Sequence, residues 1–288
     1  MSSQKKRIVY TYPKDENTVL KLLTYLLLRK YDGLFSPNLY SFRPGRTAKD
    51  AFRRVCLGAK GAYSYKVDVS NYFNSVKIPL LLPMLKEALS DDEPLCRFLE
   101  SLLTEEFVLE GGKEIAEEKG IMAGTPLASF YANLFLSDLD RSFYEDGILY
   151  ARYSDDIIVF GDSDQTVREY SDRIKEHLFS AGLEVNPAKE SFCAPEKGFT
   201  FLGFRYANGV VDIAPATVKK LKGKMRRKAR GLLRWRIRNG VDGEGAAKAF
   251  IRIFNRKLLD DPTDNDLTWS CWFFSVINTA DSLREIDR

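Results

Sequence analysis

Two adjacent aspartates stand where the chain reverses direction, and that placement constrains the fold more than any other feature. Ile148 to Arg152 is rich in β-forming residues, Ile157-Ile158-Val159-Phe160 is a short buried-strand run, and Ser154-Asp155 between them is turn chemistry. The pattern predicts a β-hairpin with Tyr153-Ser154-Asp155-Asp156 at its tip. A third acid, Asp68, ends a second predicted strand in Tyr65-Lys66-Val67-Asp68-Val69. Asp-Asp also serves ordinary hairpin turns through local hydrogen bonds, so the tip alone does not decide the chemistry. Three carboxylates gathered within about 4 Å repel by roughly 4 kcal/mol per pair at an effective dielectric near 20, so keeping them ionised needs cations. Magnesium suits such a site. It takes oxygen ligands, one or two of them protein carboxylates, and leaves other positions to substrate phosphates; two such ions can stabilise both oxygens of an in-line phosphoryl displacement.

With 288 residues, 44% of them hydrophobic, the chain is expected to bury a substantial core in one large domain or two to three lobes. Cys56, Cys96, Cys193 and Cys271 are scattered without a close pair, which points away from a zinc knuckle or a disulfide framework and fits a reducing cytoplasm. The single histidine, His177, lies in the amphipathic stretch Val167 to Phe179 and reads as an ordinary helix residue. Catalytic triads, zinc sites and general acids built on histidine lose their usual residue. No run of 18 apolar residues occurs and Met1 to Tyr10 has no signal-peptide core, so no membrane partner is expected. The net charge of +4 says little by itself; its distribution says more.

Asn17 to Tyr31 repeats apolar residues at helical spacing. Ser36-Pro37-Asn38 is a turn, and the loop Ser41-Phe42-Arg43-Pro44-Gly45-Arg46-Thr47 leads into a helix over Ala48 to Cys56. Helices are predicted within Pro79 to Leu89 and Pro94 to Thr104, and one long helix from Pro126 to Phe143. After Asn186-Pro187 comes a strand pair around Phe199 to Phe204 and Val210 to Ile213. From Pro215 to Asn239 there are eleven lysines or arginines and no acid, with Val218, Leu221, Met225, Leu232 and Ile237 on an apolar face. A Gly-rich loop, a helix over Ala246 to Leu259 and an aromatic helix over Thr268 to Ile277 complete a small helical lobe.

Three further features bear on a nucleotide site. Phe73, five positions after Asp68, can pack under a nucleotide sugar where a 2′-hydroxyl would clash, or equally serve as core. Gly120 to Ser129 opens the long helix with glycines that allow close backbone approach and with Pro126 suited to a first helical turn, although an ordinary loop and cap would look the same. Lys189, after Gly182-Leu183-Glu184-Val185-Asn186-Pro187, could protonate departing pyrophosphate, or simply be solvated.

Taken in order, these motifs from Ser41 to about Ile213 resemble those of reverse transcriptases, especially the group II intron enzymes and the bacterial defence-associated group. The resemblance implies an α+β right-hand polymerase: fingers over 1–60, a ferredoxin-like palm over 61–213 with fingers-contributing helices near 78–118, and a helical thumb over 214–288. It implies that Asp68, Asp155, Asp156 and the Val69 carbonyl hold two Mg2+ ions, with Mn2+ as a substitute, and that Lys189 is the acid. Phe73 would be the gate favouring deoxynucleotides. Arg43 and Arg46 would face triphosphate or template, Ala123 and Gly124 would underlie the nucleotide, and Phe201-Leu202-Gly203 would be the primer grip. Lys219, Lys220, Lys222, Lys224, Arg226, Arg227, Arg230 and Arg234 would hold nucleic-acid backbone. Group II enzymes usually read Pro-Gln-Gly where this chain has Met122-Ala123-Gly124, so an amide contact to the nucleotide is missing. The Ala-Gly-Thr-Pro form and Trp272-Phe273-Phe274 followed by Ile277-Asn278-Thr279 look more like the defence-associated enzymes, whereas the histidine that marks retron enzymes is absent. No nuclease, integrase or maturase-like extension is recognised, which fits a compact enzyme or a shortened chain.

The expected partners are an RNA template, a dedicated noncoding RNA among the candidates, a DNA or RNA primer, dNTPs, and a second copy or accessory protein. Rivals share the carboxylate geometry: RNA-dependent RNA polymerases, template-independent transferases and diguanylate cyclases. A cyclase has no use for a basic thumb. A silent nucleic-acid-binding subunit would not need all three acids.

Overall fold

Apolar periodicity and local capping set the first two helices. In the computed structural model, which describes residues 8–116, 120–259 and 268–287, α1 (Lys14–Lys30) turns Leu20, Thr24 and Leu27 inward. α2 (Ala48–Gly58) begins at Thr47, whose hydroxyl accepts from the Asp50 N–H while the Asp50 carboxylate accepts from the Thr47 N–H. Then follow β1 (Tyr63–Asp68), the single turn α3 (Tyr72–Ser75), α4 (Ile78–Ala88), α5 (Glu93–Thr104), and a hairpin of β2 (Phe107–Glu110) and β3 (Lys113–Ala116). α6 (Ala128–Phe135) and α7 (Ser137–Glu145) replace the one long helix expected over Pro126 to Phe143. The break is at Leu136, whose φ of −111° and ψ of 18° leave the helical region. β4 (Tyr150–Tyr153), β5 (Asp156–Gly161), α8 (Asp164–Ser180) and β6 (Ser191–Cys193) close the first unit, which runs Met1–Cys193.

Its four-stranded sheet has the order β4-β5-β1-β6, with every pairing antiparallel. Successive strand residues face opposite sides. Tyr65 and Val67 of β1 and Ile157 and Val159 of β5 therefore enter one apolar core with Leu81, Leu85, Phe130, Phe143 and Ile174, and Lys66, Asp68 and Asp156 take the other face. Burying side chains of this size is worth about 1.5–3 kcal/mol each, which is enough to fix the register that aligns the acids.

The second unit, Ala194–Arg288, contains β7 (Phe199–Phe201), β8 (Phe204–Ala207) and β9 (Val210–Ile213) as an antiparallel sheet, followed by α9 (Pro215–Asn239), α10 (Gly243–Leu258) and α11 (Asp281–Asp287). The run expected as one strand over Phe199 to Phe204 is two. Leu202 and Gly203 take φ of 51° and 88° and make a two-residue reversal between them. The expected aromatic helix is a π-helical turn over Ser270–Phe274. Mixed α+β composition with antiparallel sheets is as the sequence implied. Among the described residues no helix is long and apolar enough to cross a membrane.

Candidate active site

Register brings the three acids together. β1 and β5 pair so that Asp68 lies opposite Asp156, and β4 and β5 pair from Tyr153↔Asp156, leaving Ser154 and Asp155 as the turn. Ser154 adopts φ 59°, a left-handed conformation that short polar side chains tolerate. The Val69 N–H donates to the Asp155 carbonyl at 3.0 Å, so the residue after Asp68 is stitched to the turn. On the other flank Ser70 N–H donates to Glu184 O and Asn186 N–H to Asp68 O, both at 2.8 Å, which brings the Lys189 loop alongside.

Crowding and burial penalise the carboxylates' charge. Burial, then the Asp68 charge, holds the Asp155 carboxyl above the usual carboxylate range. Burial also pushes Asp156 up to about 6; Asp155 and Asp68 add to the rise and Lys66 opposes it. Lys189 supplies the local compensation: its Nζ lies 2.5 Å from Asp68 Oδ2, and Asn186 Nδ2 donates to Oδ1 at 3.4 Å. Burial draws the lysine's pKa down, but the Asp68 hydrogen bond and the three carboxylate charges outweigh it and hold it above the ordinary value. Among the described residues no three His, Cys, Asp or Glu side chains form a ready-made metal cage. The donor set nevertheless fits a hard divalent cation, being all oxygen with excess negative charge, while its present geometry serves the ammonium.

The hairpin stands on a polar scaffold that the sequence reading missed. Arg152 Nε and Nη2 bind the Asp140 carboxylate at 2.8 and 2.6 Å, and both side chains are wholly buried. The guanidinium also donates to the carbonyls of Ser154 at 3.2 Å and Asn133 at 3.1 Å, and Tyr150 OH donates to Asp140 at 2.9 Å. Buried Ser41 accepts the Ser154 N–H on its Oγ at 2.9 Å and donates to Asn133 Oδ1 at 3.1 Å. Asn133 Nδ2 returns a bond to Ser41 O. An arginine inside a predicted strand was the one available signal, since such a residue must find a buried partner when its strand is covered.

Residues 2–206 match the sequence pattern of the family described as reverse transcriptase (RNA-dependent DNA polymerase). The chain belongs to the reverse transcriptase family. Two solved structures share the fold of this reverse transcriptase. Apo telomerase from Candida tropicalis truncated from its C-terminal domain aligns with 71% of this chain and 46% of its own, at 15% identity and a TM-score of 0.52. Telomerase from Candida tropicalis in complex with the TWJ fragment of telomeric RNA aligns with 68% of this chain and 36% of its own, at 16% identity and a TM-score of 0.50. The chain thus spans less than half the length of either. No curated protein matches it.

The other expected site residues of this reverse transcriptase differ in their surroundings. Phe73 is half-buried, between Tyr72 and Phe42. Arg43 is committed to the fold, contrary to expectation: it is buried and its five N–H groups go to the Asp32 carboxylate and to the carbonyls of Ser36, Leu39 and Asp32, so it has no donor to spare for a triphosphate. Arg46 donates to Pro37 O at 2.8 Å and lies over the Tyr40 ring. Ala123 and Gly124 meet the amino-terminal segment, where Tyr10 N–H donates to Ala123 O and a Cβ at Gly124 would collide with Val9. Within the second unit, Phe201 is buried while Leu202 and Gly203 form the hairpin tip. Along α9, Lys219, Lys220, Lys224, Arg226, Arg227, Arg230 and Arg234 are exposed. Lys222 is the exception, donating to the carbonyl of Glu285 at 2.6 Å.

Proposed function

We propose that the protein is an RNA-directed DNA polymerase that extends a primer 3′-hydroxyl with deoxynucleotides. The observation that carries this reading is the β1–β5 register, which sets Asp68 opposite Asp156 with Asp155 at the adjoining turn in a chain of this family. Asp68, Asp155 and Asp156, with the Val69 carbonyl, would hold two magnesium ions, which when bound activate the hydroxyl and neutralise the triphosphate. Ser41 and Arg152 keep the carboxylates aimed, so the site supplies position and field more than covalent chemistry. Lys189 remains protonated beside Asp68 and would give its proton to departing pyrophosphate. Phe73 would exclude a ribose 2′-hydroxyl, and Leu202-Gly203 would steady the primer.

In this reading residues 1–60 act as fingers, 61–213 as palm and 214–288 as thumb. The exposed basic row of α9 grips phosphates, which sets register without reading sequence. If six to ten of its cations touch phosphate, affinity falls about 10³ to 10⁵ between 50 and 200 mM salt. A role in defence against phage is supported by the Ala123-Gly124-Thr125-Pro126 form and the Trp272-Phe273-Phe274 segment, and this is an argument from likeness.

Primer extension on matched RNA and DNA templates, with dNTPs or rNTPs, tests the proposal. RNA-templated dNTP incorporation that disappears in Asp155→Ala is expected. Equal incorporation without template, or preference for rNTPs, would favour the template-independent transferase or RNA polymerase reading, and inertness with every substrate would favour a silent binding subunit.

A further inference from the structure

We propose that Phe42 is a specificity-determining residue: it backs the Phe73 ring and so sets how strictly the site rejects a ribose. This inference rests on the reading of Phe73 as the sugar gate. Phe42 has φ 56°, a left-handed conformation that a residue with a bulky side chain adopts only when its surroundings impose it. The imposition is visible on both sides. Ser41 is fixed by Asn133 and by the Ser154 N–H, and Arg43 by Asp32, Ser36 and Leu39. Held between them, the Phe42 ring stays 41% exposed and outside the apolar core.

Among the described residues its one aromatic partner is Phe73, met edge-on with ring centroids 6.5 Å apart and planes at 83°. Phe73 is gripped elsewhere by buried groups. Tyr72 packs against its ring and anchors through its hydroxyl to Ala132 O at 2.6 Å. The Phe73 carbonyl accepts from Ile121 N–H at 2.9 Å, and a Cβ on Gly120 would lie 2.5 Å from that oxygen. Backbone and inner edge are therefore held by buried groups, and Phe42 is the support on the exposed side. A steric gate discriminates only as well as its ring resists displacement, because the clash with a 2′-hydroxyl is relieved if the ring swings away. Ser41, one residue earlier, holds the N–H next to Asp155, so one loop braces both the gate and the carboxylate turn.

The test compares kcat/KM for dNTP and rNTP incorporation on one RNA template in the wild type, Phe42→Ala, Phe42→Gly, Phe42→Tyr, Phe73→Ala and the Phe42→Ala, Phe73→Ala pair, with thermal unfolding of each. Loss of one aromatic contact corresponds to about a 3- to 10-fold rise in relative ribonucleotide use for Phe42→Ala and Phe42→Gly. Phe42→Gly relieves the strained φ, so its melting temperature holds or rises while selectivity falls, which a purely structural role would not produce. Phe42→Tyr retains selectivity. In the pair, Phe42→Ala adds nothing to Phe73→Ala. Unchanged selectivity in Phe42→Ala and Phe42→Gly, or additive effects in the pair, overturns the proposal while leaving the gate in place if Phe73→Ala alone relaxes selectivity. Unchanged selectivity in Phe73→Ala removes the gate and this proposal together.

Discussion

Two cations near the Asp155-Asp156 hairpin each sit on an aspartate, and the two pairs are built in opposite ways. Arg152 and Asp140 have no exposed side-chain surface, and the guanidinium is spent on a carboxylate and several carbonyls. Lys189 is 49% exposed and reaches Asp68, only 5% exposed, with a single ammonium. The planar five-donor fork of arginine suits a fixed joint, and a compact charge on a flexible stem suits an exchangeable one. A buried ion pair adds little net stability over a well-packed apolar replacement; what Arg152 contributes is a fixed place for the Ser154 carbonyl. Compensation is thus permanent where the hairpin is anchored in the core and displaceable where, in the proposed reading, a metal or substrate would arrive.

Breaking the buried Arg152 pair has the largest expected effect on stability. Arg152→Met strands the buried Asp140 charge and costs about 3–5 kcal/mol in urea denaturation; a loss below about 1 kcal/mol would mean that Asp140 finds other compensation. Next comes Asp156→Asn. The folded carboxyl titrates at about 6, above the 3.8 of an unperturbed aspartate, so the folded state binds this proton more tightly than the unfolded one. Its contribution to stability therefore falls as pH rises from about 3.8 through about 6 and stays low above that. Asp156→Asn removes the penalty, raising stability at pH 7 by about 2–3 kcal/mol, with the gain gone below about pH 4. The smallest effect falls on the Lys189 pair. Lys189→Ala changes stability by less than about 1 kcal/mol, because the lysine is half in water, yet slows incorporation about 10²-fold or more in single-turnover kinetics. A stability loss as large as that of Arg152→Met would erase the distinction between the two pairs.

The acids were legible because strand alternation is local: Tyr65-Lys66-Val67-Asp68 and Ile157 to Phe160 declare which residues face the core, and register then places Asp68 opposite Asp156. The basic face of α9 was legible for the same reason, being a continuous run without acids. Arg43 misled because a loop arginine looks free until Asp32 and the Ser36 and Leu39 carbonyls close around it. Asp140 and Arg152 were invisible as a pair, since their meeting depends on the break at Leu136 and on β4 covering α7. Ser41 likewise acquires its partner, the Ser154 N–H, only across 113 residues of chain.

In the proposed reading Asp68, Asp155 and Asp156 form one pocket whose charge calls for divalent cations. Thermal unfolding during a magnesium titration reads this directly, because a ligand that binds only the folded state raises the midpoint with saturation. The wild type should show a saturable rise, reproduced by manganese, that is lost in the Asp155→Ala, Asp156→Ala variant. An equal rise in both proteins, or none in the wild type, would contradict it.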